Sequence, residues 1–129
     1  MRSFIFLILL TFFISEIQGH REVVCMQFEN DNLRFSASEF VLEFKHSVYG
    51  GDVALKCRVA GDKIVIATLE SKDEASLSYY TDIYEFVGNR FVSVIDEKLD
   101  AIVVNEGWKV KFGNQELETR SLTRIFPCG

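Results

Sequence analysis

Apolar and polar residues alternate along most of the chain. Phe40, Leu42, Phe44 and Val48 form one set, with Val41, Glu43, Lys45 and Ser47 between them. A period of two sends successive side chains to opposite faces, so this stretch predicts a strand with one buried and one mostly solvated face. Tyr49-Gly50-Gly51-Asp52 interrupts the pattern as a turn, and Val53, Leu55, Cys57 and Val59 resume it. Lys56 and Arg58 then point the other way, toward solvent. Ala60-Gly61-Asp62-Lys63 turns again, and Lys63 to Glu70, rich in Ile and Val, predicts a strand more buried than its neighbours.

Ser71 to Ser76 reads as a polar loop, and Asp73 to Leu77 is the one stretch suited to a turn of helix. Leu77 to Val87 holds Tyr79, Tyr80, Tyr84 and Phe86 and predicts a strand by propensity. Gly88-Asn89 is a hairpin signal ahead of Phe91 to Ile95. Glu97 to Asp100 breaks that run and Ala101 to Val104 restarts it. Asn105-Glu106-Gly107 leads into Trp108, Val110 and Phe112, with Lys109 and Lys111 opposite; Gly113-Asn114 turns the chain, and Gln115 to Phe126 closes it. The sum is about eight or nine short strands about ten residues apart, the pattern of an all-β sandwich or barrel. The single proline, Pro127, lies outside every run.

Ahead of these runs, Arg2 precedes an uncharged apolar stretch from Phe4 to Ile14, and Ser15 to Gly19 is a short patch ending on a small residue. That order predicts a signal peptide over residues 1–19, too short to span a bilayer, and hence a secreted, extracellular protein. Residues 20–129 then make a single domain. The net charge of −5, with Lys and Arg scattered, argues against nucleic acid or an anionic membrane surface as partner, and no membrane insertion is expected. An oxidising compartment favours closing a pair among Cys25, Cys57 and Cys128. A Cys25–Cys128 bridge ties both ends of the domain and leaves Cys57 as a small buried hydrophobe; an intermolecular bridge through one of the three is the alternative.

In strand order and spacing the chain resembles the galectins, a family of β-sandwich lectins. The resemblance rests on FVLEF (Phe40 to Phe44), GDVALKCRV (Gly51 to Val59), KIVIATLES (Lys63 to Ser71), YEFVGNRFVSVI (Tyr84 to Ile95) and WKVKFGNQELETR (Trp108 to Arg120). It implies a two-sheet antiparallel sandwich of the jelly-roll kind with a sugar site on the concave sheet face. The family's H-x-N-x-R is replaced here by Lys56, Arg58 and Ala60, and Thr68 stands where the next strand offers Asn. The stacking Trp is absent, since Trp108 falls at a core Phe position.

Lys56 and Arg58 donate to hydroxyls or pair with carboxylate and sulfate. They do not reproduce a β-galactoside network, so an altered specificity is expected, for an acidic or modified glycan. Lys56, Arg58 and Thr68, with Tyr79 and Tyr80 nearby, are therefore the candidate ligand-binding residues, and an extracellular glycan or glycoprotein the expected partner. An extracellular protein-interaction module that has lost the sugar and a small β-barrel holding an apolar ligand are the competing readings. No nucleophile elbow, zinc motif or phosphate loop occurs, so no enzyme, cofactor or metal is expected. A copper chelate built from an N-terminal His20 and His46 is the one metal arrangement the residue types suggest.

Overall fold

The computed structural model describes residues 22–129; the segment read as a signal peptide and His20 lie outside the described residues. The strands are β1 (Val23–Phe28), β2 (Asp31–Ser36), β3 (Glu39–Lys45), β4 (Asp52–Ala60), β5 (Lys63–Ser71), β6 (Glu85–Val87), β7 (Arg90–Leu99), β8 (Ile102–Val104), β9 (Lys109–Phe112), β10 (Gln115–Glu118) and β11 (Thr123–Pro127). One helix, α1 (Glu74–Ser78), lies between β5 and β6. The strands form two antiparallel sheets, β2-β1-β11-β8 and β10-β9-β3-β4-β5-β7-β6. The fold is thus an all-β, two-sheet sandwich, one of the two architectures the alternation predicts and the one the resemblance implies.

Val53, Cys57 and Val59 of β4 are buried while Lys56 and Arg58 are exposed, as alternation requires. The same rule buries Phe40 and Leu42 of β3, Val110 and Phe112 of β9, and Val24 and Met26 of β1. Together with Ile64, Ile102, Val104 and Ile125 they make the main core between the sheets. The four-stranded sheet does not cover the whole inner face. A second small core of Val53, Leu69 and Leu77 lies under α1, flanked by Phe44, Tyr84 and Phe91.

Four local expectations are corrected. The sequence between Val23 and Ser36, unassigned by pattern, forms the β1–β2 hairpin, which brings the count to eleven strands among the described residues. Leu77 to Val87 is not one strand: Asp73 caps α1 by accepting from the Ser76 N–H at 3.2 Å, and Leu77 is drawn wholly inside, so only Glu85–Val87 is left to pair. Tyr79 and Tyr80 consequently follow a helix. β7 runs unbroken through Glu97, accommodating Asp96 at φ 52° beside a register shift against β5. Finally, Pro127 is the last residue of β11, paired with Val24, where a strand end tolerates it.

Cys25 and Cys128 form a disulfide, with Cα atoms 5.9 Å apart and 103 residues of separation. Cys57 is free and buried. Burial pushes its thiol from an ordinary 9.0 up to about 12. A folded-state value above the unfolded one adds stability that is complete below the unfolded pKa and disappears as pH rises toward the folded one. Urea unfolding should therefore show a loss with rising pH, up to about 1.4 kcal/mol per unit from this group, across the interval between the ordinary thiol value and about 12. Cys57→Ala should flatten that slope; an unchanged slope refutes the assignment. Glu29, at φ 49° in the β1–β2 turn, is a side chain held in the left-handed region. Glu29→Gly should raise stability by about 1 kcal/mol in the same assay, and no gain would show that the turn is unstrained.

Candidate functional site

The residues of β4 that do not face the core define the outer face of the seven-stranded sheet. Register sets Lys56 beside Thr68 of β5 and Ala54 beside Glu70. On the far side Thr68 meets Val94 and Glu70 meets Val92 of β7. On the near side Val41 pairs with Lys56, Glu43 with Ala54, and Lys111 with Val41. Lys56, Thr68, Glu70, Glu43 and Lys111 thus share one surface.

Glu70 is the centre of that surface. Its side chain keeps only 6% of its exposure although it points away from the core. Lys56 Nζ sits 3.0 Å from its Oε2, and the Thr68 hydroxyl donates to the same oxygen at 2.9 Å. Arg90 Nε lies 4.0 Å from Oε1, outside hydrogen-bond reach, and is buried without a partner among the described residues. Burying a carboxylate is costly unless opposite charge and hydrogen bonds surround it, and these three side chains supply both. Beside them Lys111 donates to Glu43 Oε2 at 3.0 Å, and that contact holds the lysine ammonium above its ordinary range.

Arg90 also lines a cleft of about 510 Å³ with Glu43, Gly50, Gly51, Asp52, Lys72 and Asp73. The wall at Gly51 exists because that residue has no side chain. A Cβ there would lie 2.5 Å from Asp73 Cβ, and the Gly51 N–H donates to Ser76 Oγ at 3.1 Å. The cleft therefore presents carboxylates, a guanidinium, an ammonium and main chain together.

The candidate residues divide between two places. Lys56 and Thr68 touch Glu70. Arg58 lies further along the same face, where it pairs with Asp96 at 3.4 Å. Tyr79 and Tyr80 are elsewhere. The Tyr80 ring meets the edge of Phe44, a core-facing residue, and both tyrosines pack on His46 with Tyr49. His46 is buried and its Nδ1 accepts from the Val48 and Tyr49 N–H groups, so that nitrogen is not open to a metal. Among the described residues no group of three His, Cys, Asp or Glu side chains is placed to hold a metal ion.

Sequence reasoning missed Glu70, Arg90, Glu43 and Lys111. Alternation with Thr68 was the available signal for Glu70, but Lys63 to Glu70 read as one buried run and hid its polar face. Compared with known family models, curated proteins and solved structures, the chain matches none.

Glu70→Ala should cost about 2 kcal/mol in urea unfolding, because Lys56 and Thr68 lose their common acceptor and Arg90 its nearby counter-charge. Glu70→Gln, which keeps the Thr68 bond, should cost less. A loss for Glu70→Ala below about 0.5 kcal/mol would place it among ordinary surface substitutions.

Proposed function

We propose that this chain is a secreted, galectin-like carbohydrate-binding protein that holds a glycan other than a plain β-galactoside on the outer face of the seven-stranded sheet. The observation that carries the reading is Glu70 buried beneath Lys56, Thr68 and Arg90, beside an open polar cleft. Hydroxyl groups both donate and accept. A polyhydroxylated ring therefore suits a cleft in which carboxylates and cations are interspersed and one buried N–H has no acceptor. Val94, 79% exposed beside Thr68, offers an apolar contact for a ring face, although not an aromatic one.

Lys56 and Arg58 already face carboxylates, so the surface is mixed in sign rather than a basic trap for sulfate or carboxylate groups. The apolar N-terminal run supports secretion, and the disulfide is compatible with an oxidising compartment. A protein-interaction module is the second reading. It is favoured by the separate surface on which Tyr49, Tyr79 and Tyr80 are 55%, 62% and 47% exposed around His46.

The test is a glycan array with the oxidised, folded domain, followed by titration of any hit. At least one glycan should bind, with affinity changing by less than about threefold between low and high salt because Lys56, Arg58 and Arg90 already lie beside carboxylates. Arg90→Lys and Thr68→Val should weaken it about tenfold, and Tyr79→Ala should leave it unchanged. A flat array with demonstrably folded protein, or binding indifferent to Arg90 and Thr68, overturns the reading. Loss on Tyr79→Ala alone would move the site to the tyrosine surface.

A further inference from the structure

Among the described residues the two sheets are not joined along one side of the sandwich, where β2 ends one sheet and β10 ends the other. Two grooves open there. One, of about 500 Å³, has Met26, Phe28, Leu33 and Leu117 as its apolar lining, with Glu116 and Glu118 on its rim and Arg120 and the side chains of Thr119 and Thr123 beside them. The other, of about 380 Å³, runs past Phe35 and Phe112, whose rings stack at 4.2 Å.

Phe112 and Gln115 flank the two-residue turn, so they are a hydrogen-bonded pair. Antiparallel ladders alternate, which makes Leu117 the next residue of β10 bonded to β9. Thr119 continues the series: its N–H donates to the Trp108 carbonyl at 2.8 Å. The N–H and C=O groups of Glu116 and Glu118 therefore point away from β9, toward the open side. The Glu116 and Glu118 side chains stand on the outer face, opposite Lys111 and Lys109, while Leu117 packs inward against the core.

We propose that β10 takes up an extended segment of another extracellular polypeptide with the alternation basic–apolar–basic. Partners opposite one another in an antiparallel pair project to the same face. Residues set against Glu116 and Glu118 thus lie on the outer face beside carboxylates, and basic side chains are favoured there. The residue set against Leu117 points into the groove lined by Met26, Phe28 and Leu33 and has to be apolar.

The same parity disfavours a second copy of this chain. Any antiparallel pairing of two β10 edges through these free groups sets glutamate against glutamate, which is destabilising. Main-chain bonds then supply affinity and the alternation supplies specificity, as in strand addition generally.

The probe is a fluorescent, capped hexapeptide of alternating lysine and leucine, titrated by anisotropy into the oxidised full domain. Controls are the glutamate-for-lysine twin and a peptide of the same composition with its three lysines adjacent. The alternating peptide should bind at least about tenfold more tightly than either control. The double variant Glu116→Lys/Glu118→Lys should reverse the preference toward the glutamate twin. Glu116→Pro, which removes a free-edge N–H and no ladder bond, should abolish the preference while the thermal midpoint stays within a few degrees.

Equal binding of the alternating and blocked peptides overturns the proposal. So does an unaltered preference in the charge-reversed protein, which remains decisive if Glu116→Pro fails to fold. Concentration-dependent dimerisation in sedimentation that Glu116→Pro removes would assign the edge to a second copy instead.

Discussion

The pairing of β1 with β11 is the constraint on which the second layer depends. These strands come from opposite ends of the described chain, yet they sit side by side in register from Val24↔Pro127 to Phe28↔Thr123. Bringing such distant segments together costs chain entropy before any contact is gained. The Cys25–Cys128 bridge closes the same loop of 103 residues, a constraint on the unfolded chain of on the order of 4 kcal/mol in the loop-entropy picture. Without that pair β2 and β8 have nothing to flank, and the inner face of Phe40, Leu42, Cys57 and Val110 has no opposing layer.

Because the smaller sheet has four strands against seven, it leaves part of the larger one uncovered. The chain solves this locally. Asp73 caps a helix of one and a half turns, Leu77 descends from it onto Val53 and Leu69, and Gly51 lets the helix start approach the β3–β4 loop. The same contacts shape the wall of the polar cleft on the other side of the sheet. They also lift Tyr79 and Tyr80 onto the rim around His46. A packing requirement thus positions both the cleft and the tyrosine surface.

The outer face follows from alternation with one addition. Solvent-facing charges on a sheet need no partner, but Glu70 is shielded from water and does. Its neighbour across the strand is Ala54, itself 3% exposed, so no bulk separates the carboxylate from Glu43's row. Lys56 and Arg90 close over it from opposite flanks. Charges held this way constrain one another's positions rather than swing freely in solvent. At the far edge of β10 the Glu116 carboxylate is paired only loosely: Lys109 Nζ is 4.0 Å from it, and both are about half exposed.

By itself the sequence determined the class of fold, the central strands and their facing. Period-two alternation makes Val53, Cys57 and Val59 buried and Lys56 and Arg58 outward whatever the partner strands are, because facing is a property of the extended backbone. It also determined the caps and turns that depend on neighbours only, among them the Gly88-Asn89 hairpin and the helical turn after Asp73. Tertiary structure alone decided which outward residues meet. Glu70 and Arg90 belong to strands paired through register, and the shift between Ile66 and Thr68 that sets their alignment leaves no local mark in the sequence. The β1–β2 hairpin, the free edge of β10 and the separation of Tyr79 and Tyr80 from Lys56 were likewise settled by which surfaces the two sheets had left to cover, a question of packing between residues far apart in the chain.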